Sequence, residues 1–153
     1  GERLRYAGRG NLMVACYPGA GASHGVHIDN ADGDGRPHDF GRVLTLLYYL
    51  NAGWTPDDGG ALRLFPPRAA GAPPPAEAPE GHSAAVDVQP EADVLVVFRA
   101  DRVMHEVRPC RSRHRYAASV WILAGAAGKA EPLNGDSDGE HDGQDGQDGA
   151  SPV

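Results

Sequence analysis

The sequence has few cysteines and no long apolar runs, the features that allow disulfide cross-links and membrane-spanning segments. Only two cysteines are present, Cys16 and Cys110, which excludes a disulfide framework and favours a reducing compartment, here the cytoplasm or the nucleus. No apolar run approaches the roughly 20 residues that span a bilayer. No basic stripe indicates nucleic-acid binding. The 153 residues therefore predict a soluble chain without a membrane or nucleic-acid partner, which we take to be a monomer.

Positive charge is also scarce, and the net charge of −7 is unevenly distributed. The segment from Lys129 to Val153 holds seven acidic residues and one lysine, whereas the first 128 residues are nearly neutral. After Gly125 the chain is rich in Gly, Asp and Gln and almost free of apolar residues, so it cannot offset the entropy of ordering. We predict one folded domain over residues 1–125 and a disordered acidic tail over residues 126–153.

Helical periodicity is nearly absent, and short apolar stretches alternate with Gly, Pro and Asp instead. The segments Val43 to Leu50 and Val94 to Phe98 are apolar enough to be buried on both faces. The segments Asn30 to Gly41 and Pro66 to Ser83 are rich in turn residues and predict loops. The pattern favours an all-β fold, a double-sheet jelly roll with few helices, with strands at 12–17, 24–28, 42–51, 61–65, 84–88, 93–98, 104–108 and 115–123.

Two histidines and one aspartate form a candidate metal site. His27 and Asp29 are two positions apart, which allows both to address one ion from a strand end. His105 lies in another strand-like segment and is expected to close the site from the far side. Two imidazoles and a carboxylate are the facial ligand set of non-haem Fe(II) oxygenases, although Zn(II) and Mn(II) accept the same ligands. His-x-Asp alone is weak evidence in a chain with seven histidines and 21 acidic residues.

An arginine follows the second histidine at a distance that suits a cosubstrate pocket. Arg115 begins a predicted strand, and alternation places it on the same face as Ala117, Ser119 and Trp121. In such an Fe(II) oxygenase, the cosubstrate 2-oxoglutarate would chelate iron through its keto oxygen and the adjacent carboxylate. Its second carboxylate, far from the iron, would then need a positive partner, because an unpaired buried charge is too costly. Arg113 has the same parity and is the main competitor for this role.

A calcium site is an alternative use of the acidic residues after Asp29. Asn30, Asp32, Asp34 and Gly35 mimic the start of an EF-hand loop. The twelfth position of that loop would be Gly41 instead of glutamate, and no flanking helices are predicted. We therefore do not favour calcium binding.

Several motifs resemble, in order, the hypoxia-sensing prolyl 4-hydroxylases and their microbial and algal relatives. The resemblance runs over residues 12 to 123 and rests on the segments Met13–Gly19, His27–Asn30, Gly33–Arg36, Tyr48–Asn51, Gly59–Pro66, His105–Val107 and Arg115–Ala117. It implies a double-stranded β-helix and an oxygen-sensing type of enzyme. The implied reaction is hydroxylation of a peptidyl proline at C4, with release of succinate and CO₂.

The resemblance also assigns roles to individual residues and cofactors. It implies Fe(II) held by His27, Asp29 and His105, with 2-oxoglutarate as cosubstrate and ascorbate as reductant. It implies that Arg115 and Tyr49, with Tyr17, bind the cosubstrate. The pocket wall is implied to consist of Met13, His24, Leu62, Val107 and Trp121, with His24 replacing a tyrosine of the family.

Departures from the family keep two other functions open. The segment between Asp29 and Tyr49 is longer than in the animal enzymes, and one extra residue separates His105 from Arg115. The family's N-terminal helices and the mobile finger that covers its substrate would lie upstream of residue 1, and we expect them to be absent. The alternatives are a 2-oxoglutarate dioxygenase for another substrate and a non-catalytic, metal-binding jelly roll. The partner implied by the resemblance is a proline-containing protein or peptide.

Overall fold

The computed structural model of the chain describes residues 6–30 and 41–124, which form an all-β fold. A 3₁₀ turn at Pro56–Asp58 is the one helical element of this part of the chain. The predicted scarcity of helices is therefore confirmed for these residues. The nine strands are β1 (Tyr6–Arg9), β2 (Met13–Tyr17), β3 (His24–His27), β4 (Arg42–Tyr49), β5 (Leu62–Phe65), β6 (Val86–Val88), β7 (Leu95–Arg99), β8 (Met104–Val107) and β9 (Arg115–Ala124).

The strands form two antiparallel sheets, as the predicted jelly roll requires. The major sheet has the order β1-β9-β4-β7, and β2 pairs with the first half of β9 beside β1. The minor sheet has the order β3-β8-β5-β6. Every ladder is antiparallel, and strands distant in sequence are neighbours, which is the topology of a double-sheet jelly roll.

The core lies between the two sheets. Tyr49, Phe98 and Ala117 point inward from the major sheet and pack with Leu62 of the minor sheet. Tyr49 and Leu62 are almost completely buried. Because side chains alternate along a strand, this inward row also fixes which residues of β4 and β9 face the space between the sheets.

The expected burial of two apolar segments on both faces is wrong. On β4 and β7 the inward side chains are buried or partly buried, but Tyr48, Leu95 and Val97 are 38%, 56% and 51% exposed. An antiparallel sheet can pack on one face only, and among the described residues no element covers the outer face of the major sheet. Apolarity alone did not distinguish the two faces.

Eight of the strands correspond to the eight predicted ones, with ends that differ by at most two residues. Strand β1 was not predicted, because Gly8 lies within it, Gly10 follows it directly, and glycine is depleted in strands. It pairs with the end of β9 through a register shift near Gly8, whose φ of 148° is readily accessible only to glycine.

The loops agree with the sequence where the structure describes them. Residues 66–83 contain no strand or helix and only an isolated bridge between Pro67 and His82. Residues 31–40 and the acidic tail lie outside the described residues, so the division into two regions and the calcium alternative stay predictions. No helix in the described ranges is long and apolar enough to cross a bilayer.

Candidate active site

A cavity of about 340 Å³ opens between the two sheets. Thr45, Ala117 and Ser119 line it from the inward faces of β4 and β9. All but one of the site residues singled out in the sequence also line it, and Tyr49 is the exception. These residues are Met13, Tyr17, His24, His27, Asp29, Leu62, His105, Val107, Arg115 and Trp121.

The structure brings the predicted metal ligands together. One ligand atom from each of His27, Asp29 and His105 lies within 4.8 Å of the other two. The Oδ1 atom of Asp29 is 3.5 Å from Nε2 of His27 and 3.8 Å from Nε2 of His105. His105 does not approach from the far side: it is the direct cross-strand partner of His27 on β8, and the ring centroids are 4.2 Å apart. The shared minor sheet therefore sets the spacing of the two imidazoles.

Backbone carbonyls fix the orientation of both imidazoles. Nδ1 of His27 lies 2.9 Å from the carbonyl oxygen of Gly25, and Nδ1 of His105 lies 3.3 Å from that of Val103. An Nδ1–H that donates to a carbonyl leaves Nε2 as the metal-facing nitrogen, and this atom can bind a metal once it carries no proton, the arrangement usual for metal-bound histidines. Both Nε2 atoms face Asp29, so all three donors converge.

The electrostatics of the three side chains suit a cation. Burial raises the pKa of Asp29, but hydrogen bonds from His27, Thr45 and Trp121 outweigh burial and hold that pKa well below its usual range. Burial lowers the pKa of His105. The hydrogen bond with Asp29 raises the pKa of His27. At neutral pH the site therefore offers a carboxylate and, at His105, a neutral imidazole, the forms that bind metals.

At the other end of the cavity lies a buried cation. Arg115 is only 2% exposed, and its Nε–H donates to the carbonyl oxygen of Gly60 at 2.8 Å. The rings of Tyr17 and Tyr49 flank the guanidinium carbon at 5.1 and 4.9 Å. Among the described residues no carboxylate forms an ion pair with Arg115. A buried charge without a counter-ion is strongly unfavourable, so this end of the cavity is suited to an anionic ligand.

Tyr49 lies behind the cavity wall, next to Arg115. Its side chain is completely buried, and among the described residues its hydroxyl is the buried side-chain polar atom without a hydrogen-bond partner. Burial raises the pKa of Tyr49 to about 12 despite the nearby guanidinium. The hydroxyl therefore keeps its proton at neutral pH. A buried donor without a partner requires an explanation, and a ligand carboxylate beside Arg115 would provide one.

A tight turn before β5, not foreseen from the sequence, holds Arg115 in place. Gly59 and Gly60 have φ values of 73° and 68°. A Cβ atom on Gly60 would come within 2.9 Å of Sγ of Cys110 and 3.0 Å of Cδ of Arg115. The indole of Trp54 donates to the carbonyl oxygen of Gly59 at 2.9 Å. Glycine is therefore required at position 60, both for its backbone conformation and for the space beside Arg115.

Arg113 and His24, two residues named in the sequence predictions, lie at different distances from the cavity. Arg113, the competitor of Arg115, points away from the cavity: its guanidinium donates to the carbonyl oxygens of Ala52 and Gly53, and its side chain is 45% exposed. His24 lies at the cavity mouth, with its ring centroid 4.3 Å from that of His27. Sequence reasoning missed Thr45, whose hydroxyl donates to Asp29. The available signal was a single polar residue in the apolar run of β4.

Known proteins share the sequence pattern that forms this site. The profile of the 2OG-Fe(II) oxygenase superfamily matches residues 12–123. The chain belongs to this superfamily. The match spans β2 to β9, so it includes both sheets and every residue of the cavity named above. Superfamily membership implies Fe(II) and 2-oxoglutarate as cofactor and cosubstrate.

The chain is similar to several prolyl hydroxylases. It is 40% identical to Egl nine homolog 1 of Rattus norvegicus over 121 residues, which are 78% of this chain and 30% of that protein. It is 42% identical to prolyl hydroxylase EGLN3 of Mus musculus over 117 residues, 75% of this chain and 41% of that protein. The chain thus spans well under half of the length of these relatives.

Two solved structures share the fold. A prolyl hydroxylase from Trichoplax adhaerens, in complex with a hypoxia inducible factor oxygen degradation domain peptide, matches with a TM-score of 0.62 and 37% identity. That match covers 79% of this chain and 46% of the other. A prolyl-4-hydroxylase from Pseudomonas putida matches with a TM-score of 0.55 and 34% identity, over 74% of this chain and 51% of the other.

The oxygenase's own side chains fit both groups that the superfamily implies. One ligand atom from each of two imidazoles and a carboxylate lies within 4.8 Å of the other two, which suits a single Fe(II) ion. The guanidinium of Arg115 and the hydroxyl of Tyr49, which within residues 6–30 and 41–124 have no ion-pair partner and no hydrogen-bond partner respectively, match the far carboxylate of 2-oxoglutarate. The metal and anion sites lie in one cavity, which is what a ligand that bridges them demands.

Proposed function

We propose that this chain is the catalytic domain of an Fe(II)- and 2-oxoglutarate-dependent dioxygenase that hydroxylates peptidyl proline at C4. The observation that carries the proposal is the pairing, within one cavity, of three convergent metal donors with a buried arginine that has no described counter-ion. A metal site alone would suit many proteins, and a buried arginine alone would be unexplained. A bidentate keto acid with a second carboxylate satisfies both.

Each side chain then has a defined task. His27, Asp29 and His105 hold Fe(II). Arg115 and Tyr49 bind the far carboxylate of 2-oxoglutarate, one by charge and the other as a neutral hydrogen-bond donor, with the ring of Tyr17 against the guanidinium. Bound Fe(II) and 2-oxoglutarate supply the oxygen-activating chemistry, with succinate and CO₂ as the other products and ascorbate as the reductant that keeps the iron ferrous.

The remaining lining residues shape the cavity. We assign to the wall Met13, His24, Leu62, Val107 and Trp121, all of which line it. Leu62 and Val107 are buried and help keep bulk water away from the metal side. Met13 is 45% exposed at the mouth, where an incoming peptide would meet it. Water exclusion strengthens every electrostatic contact within the site.

A prolyl substrate is supported by the relatives. The matched structures from Trichoplax adhaerens and Pseudomonas putida are both prolyl hydroxylases, and the first was solved with a hypoxia inducible factor peptide. We therefore expect a proline-containing peptide or protein as substrate and an oxygen-sensing role. We also expect a monomer in the cytoplasm or nucleus.

The test is turnover with defined peptides. The protein is incubated with Fe(II), 2-oxoglutarate, ascorbate and proline-containing peptides, including a hypoxia inducible factor degradation-domain peptide. Mass spectrometry should detect one added oxygen on proline together with equimolar succinate. His27→Ala and Asp29→Ala should abolish metal binding and both products, whereas Arg113→Met should leave them near wild type.

The outcomes separate the alternatives. Succinate without hydroxyproline in any peptide would favour a dioxygenase for another substrate. Metal binding without succinate formation would favour a non-catalytic metal-binding jelly roll. Hydroxyproline formation that survives in Asp29→Ala would contradict the assignment of the metal ligands.

A further inference from the structure

The two oxygen atoms of the Asp29 carboxylate have different surroundings. Oδ1 faces Nε2 of His27 at 3.5 Å and Nε2 of His105 at 3.8 Å. Oδ2 faces the opposite way and accepts two hydrogen bonds, from the hydroxyl of Thr45 at 2.5 Å and from the indole N–H of Trp121 at 3.2 Å. The carboxylate therefore has one oxygen for the metal side and one held by the protein.

The two residues that donate to Oδ2 lie side by side in the major sheet. Thr45 on β4 and Trp121 on β9 are direct partners in the antiparallel ladder. Both side chains point into the cavity, and Thr45 is only 1% exposed. Directly opposed residues of an antiparallel pair have their Cβ atoms about 5 Å apart, so both can reach one oxygen. Asp29 follows β3 of the minor sheet, which means that the major sheet fixes a metal ligand that the minor sheet supplies.

The guanidinium of Arg42 lies over the indole ring of Trp121. The guanidinium carbon of Arg42 lies 4.1 Å from the centroid of the Trp121 ring, a cation–π distance. The carbonyl oxygen of Arg42 accepts a hydrogen bond from Nδ2 of Asn30, the residue next to Asp29. The indole is thus held in the orientation in which its N–H meets Oδ2.

From this geometry we infer that Thr45 and Trp121 are positioning residues that restrict Asp29 to one-oxygen coordination of the metal. The inference rests on the proposed function, because it assumes that Asp29 binds the ion. An aspartate with a free Oδ2 can rotate or chelate through both oxygens. Chelation would occupy a position that the cosubstrate or O₂ needs, and rotation would weaken the site. Two donors on Oδ2 oppose both.

The test measures metal binding, not turnover. Co(II) replaces Fe(II) as the probe, because its visible absorption bands report coordination number and geometry, and the titration gives a Kd. Thr45→Val keeps the shape of the side chain and removes the donor, whereas Thr45→Ser keeps the donor. Trp121→Phe removes the second donor independently. Tyr48→Phe is the matched control, since it deletes a hydroxyl that donates to Asp93 from the outer face of the same strand.

Expected results follow from the partner that each variant loses. Thr45→Val and Trp121→Phe should each weaken Co(II) binding by about 10- to 100-fold, the usual effect of removing a partner of a metal ligand. The absorption bands should change in position and intensity. Thr45→Ser and Tyr48→Phe should retain the wild-type Kd and spectrum. Far-UV circular dichroism identifies any variant that fails to fold. If Thr45→Val or Trp121→Phe does not fold, the result for the remaining one of the two tests the inference.

Two outcomes overturn the inference in distinguishable ways. If the wild-type protein binds no Co(II), or Asp29→Ala binds it unchanged, the proposed metal site fails and the inference falls with it. If the wild type binds Co(II) through Asp29 but Thr45→Val and Trp121→Phe give its Kd and spectrum, only the inference fails. Equal weakening in Thr45→Val and Thr45→Ser would also overturn it, because the hydroxyl would then be irrelevant.

Discussion

Replacement of Arg115 by methionine should have opposite effects on stability and on cosubstrate binding. Arg115 is 2% exposed, has no ion-pair partner among the described residues and donates one hydrogen bond, to Gly60. Methionine has a similar length and no charge. Removal of buried charge in favour of apolar volume is neutral or stabilising by about 1–4 kcal/mol, and the lost hydrogen bond costs about 1 kcal/mol. The stability of the ligand-free variant should therefore lie between about 1 kcal/mol below and about 3 kcal/mol above that of wild type.

Binding of 2-oxoglutarate should fall steeply in the same variant. Loss of one partner of a buried, hydrogen-bonded charge pair costs about 2–5 kcal/mol, which corresponds to a Kd higher by roughly 30- to 4,000-fold. Urea unfolding without metal gives the stability, and calorimetry with Mn(II) and 2-oxoglutarate gives the Kd. Arg113→Met is the control, because its side chain is 45% exposed and points away from the cavity.

Two results would contradict the role of Arg115 in cosubstrate binding. A metal-free Arg115→Met protein that is destabilised by more than about 2 kcal/mol would place Arg115 among ordinary structural residues. Unchanged 2-oxoglutarate affinity in that variant, or a large loss in Arg113→Met, would move the carboxylate site elsewhere.

Three further substitutions test the surroundings of the site. Tyr49→Phe should raise the Kd for 2-oxoglutarate by up to about tenfold without loss of stability in urea, because the hydroxyl has no partner among the described residues; clear destabilisation would contradict this. Gly60→Ala should lower stability by about 1–3 kcal/mol and weaken 2-oxoglutarate binding, because the new Cβ meets Arg115; wild-type affinity would show that the turn does not orient Arg115. Asn51→Leu should cost about 2–4 kcal/mol in thermal unfolding, since its side chain bonds both backbone groups of Tyr116; a smaller loss than that of a surface variant would count against this role.

Local pattern was sufficient for eight of the nine strands of the described residues and for the inward face of β9. Alternation along β9 predicted that Arg115, Ala117, Ser119 and Trp121 share a face, and all four line the cavity. The His-x-Asp spacing predicted two neighbouring ligands, and the structure places His27 and Asp29 side by side. These features depend on residues a few positions apart, which a sequence displays directly.

Features that depend on strand pairing were beyond the sequence. The direct pairing of His27 with His105 follows from the register of β3 against β8, and nothing within either segment encodes it. The hydrogen bond from Thr45 to Asp29 joins the two sheets. The choice of Arg115 over Arg113 depended on a recognised motif, because both have the same parity. Burial of β4 and β7 was overpredicted, since apolar content does not reveal whether another element covers a face.

The role of Arg115 can be isolated by changing the ligand as well as the protein. 2-Oxobutyrate keeps the keto acid that would chelate the metal but lacks the far carboxylate. With Mn(II) present, the wild type should bind 2-oxoglutarate more tightly than 2-oxobutyrate by about 2–5 kcal/mol, the range for a buried charge pair. In Arg115→Met the two ligands should bind almost equally, because the guanidinium that distinguishes them is gone.

This cycle of two ligands and two proteins removes effects that a single substitution leaves mixed. Changes in the metal site or in overall stability alter both ligands alike and cancel in the difference. Only an interaction between Arg115 and the far carboxylate produces a coupling energy. A coupling near zero, with both ligands weakened equally in Arg115→Met, would mean that the buried cation supports the fold of the cavity and does not bind the cosubstrate. A large coupling would explain why the fold retains a charge that it leaves without a described counter-ion.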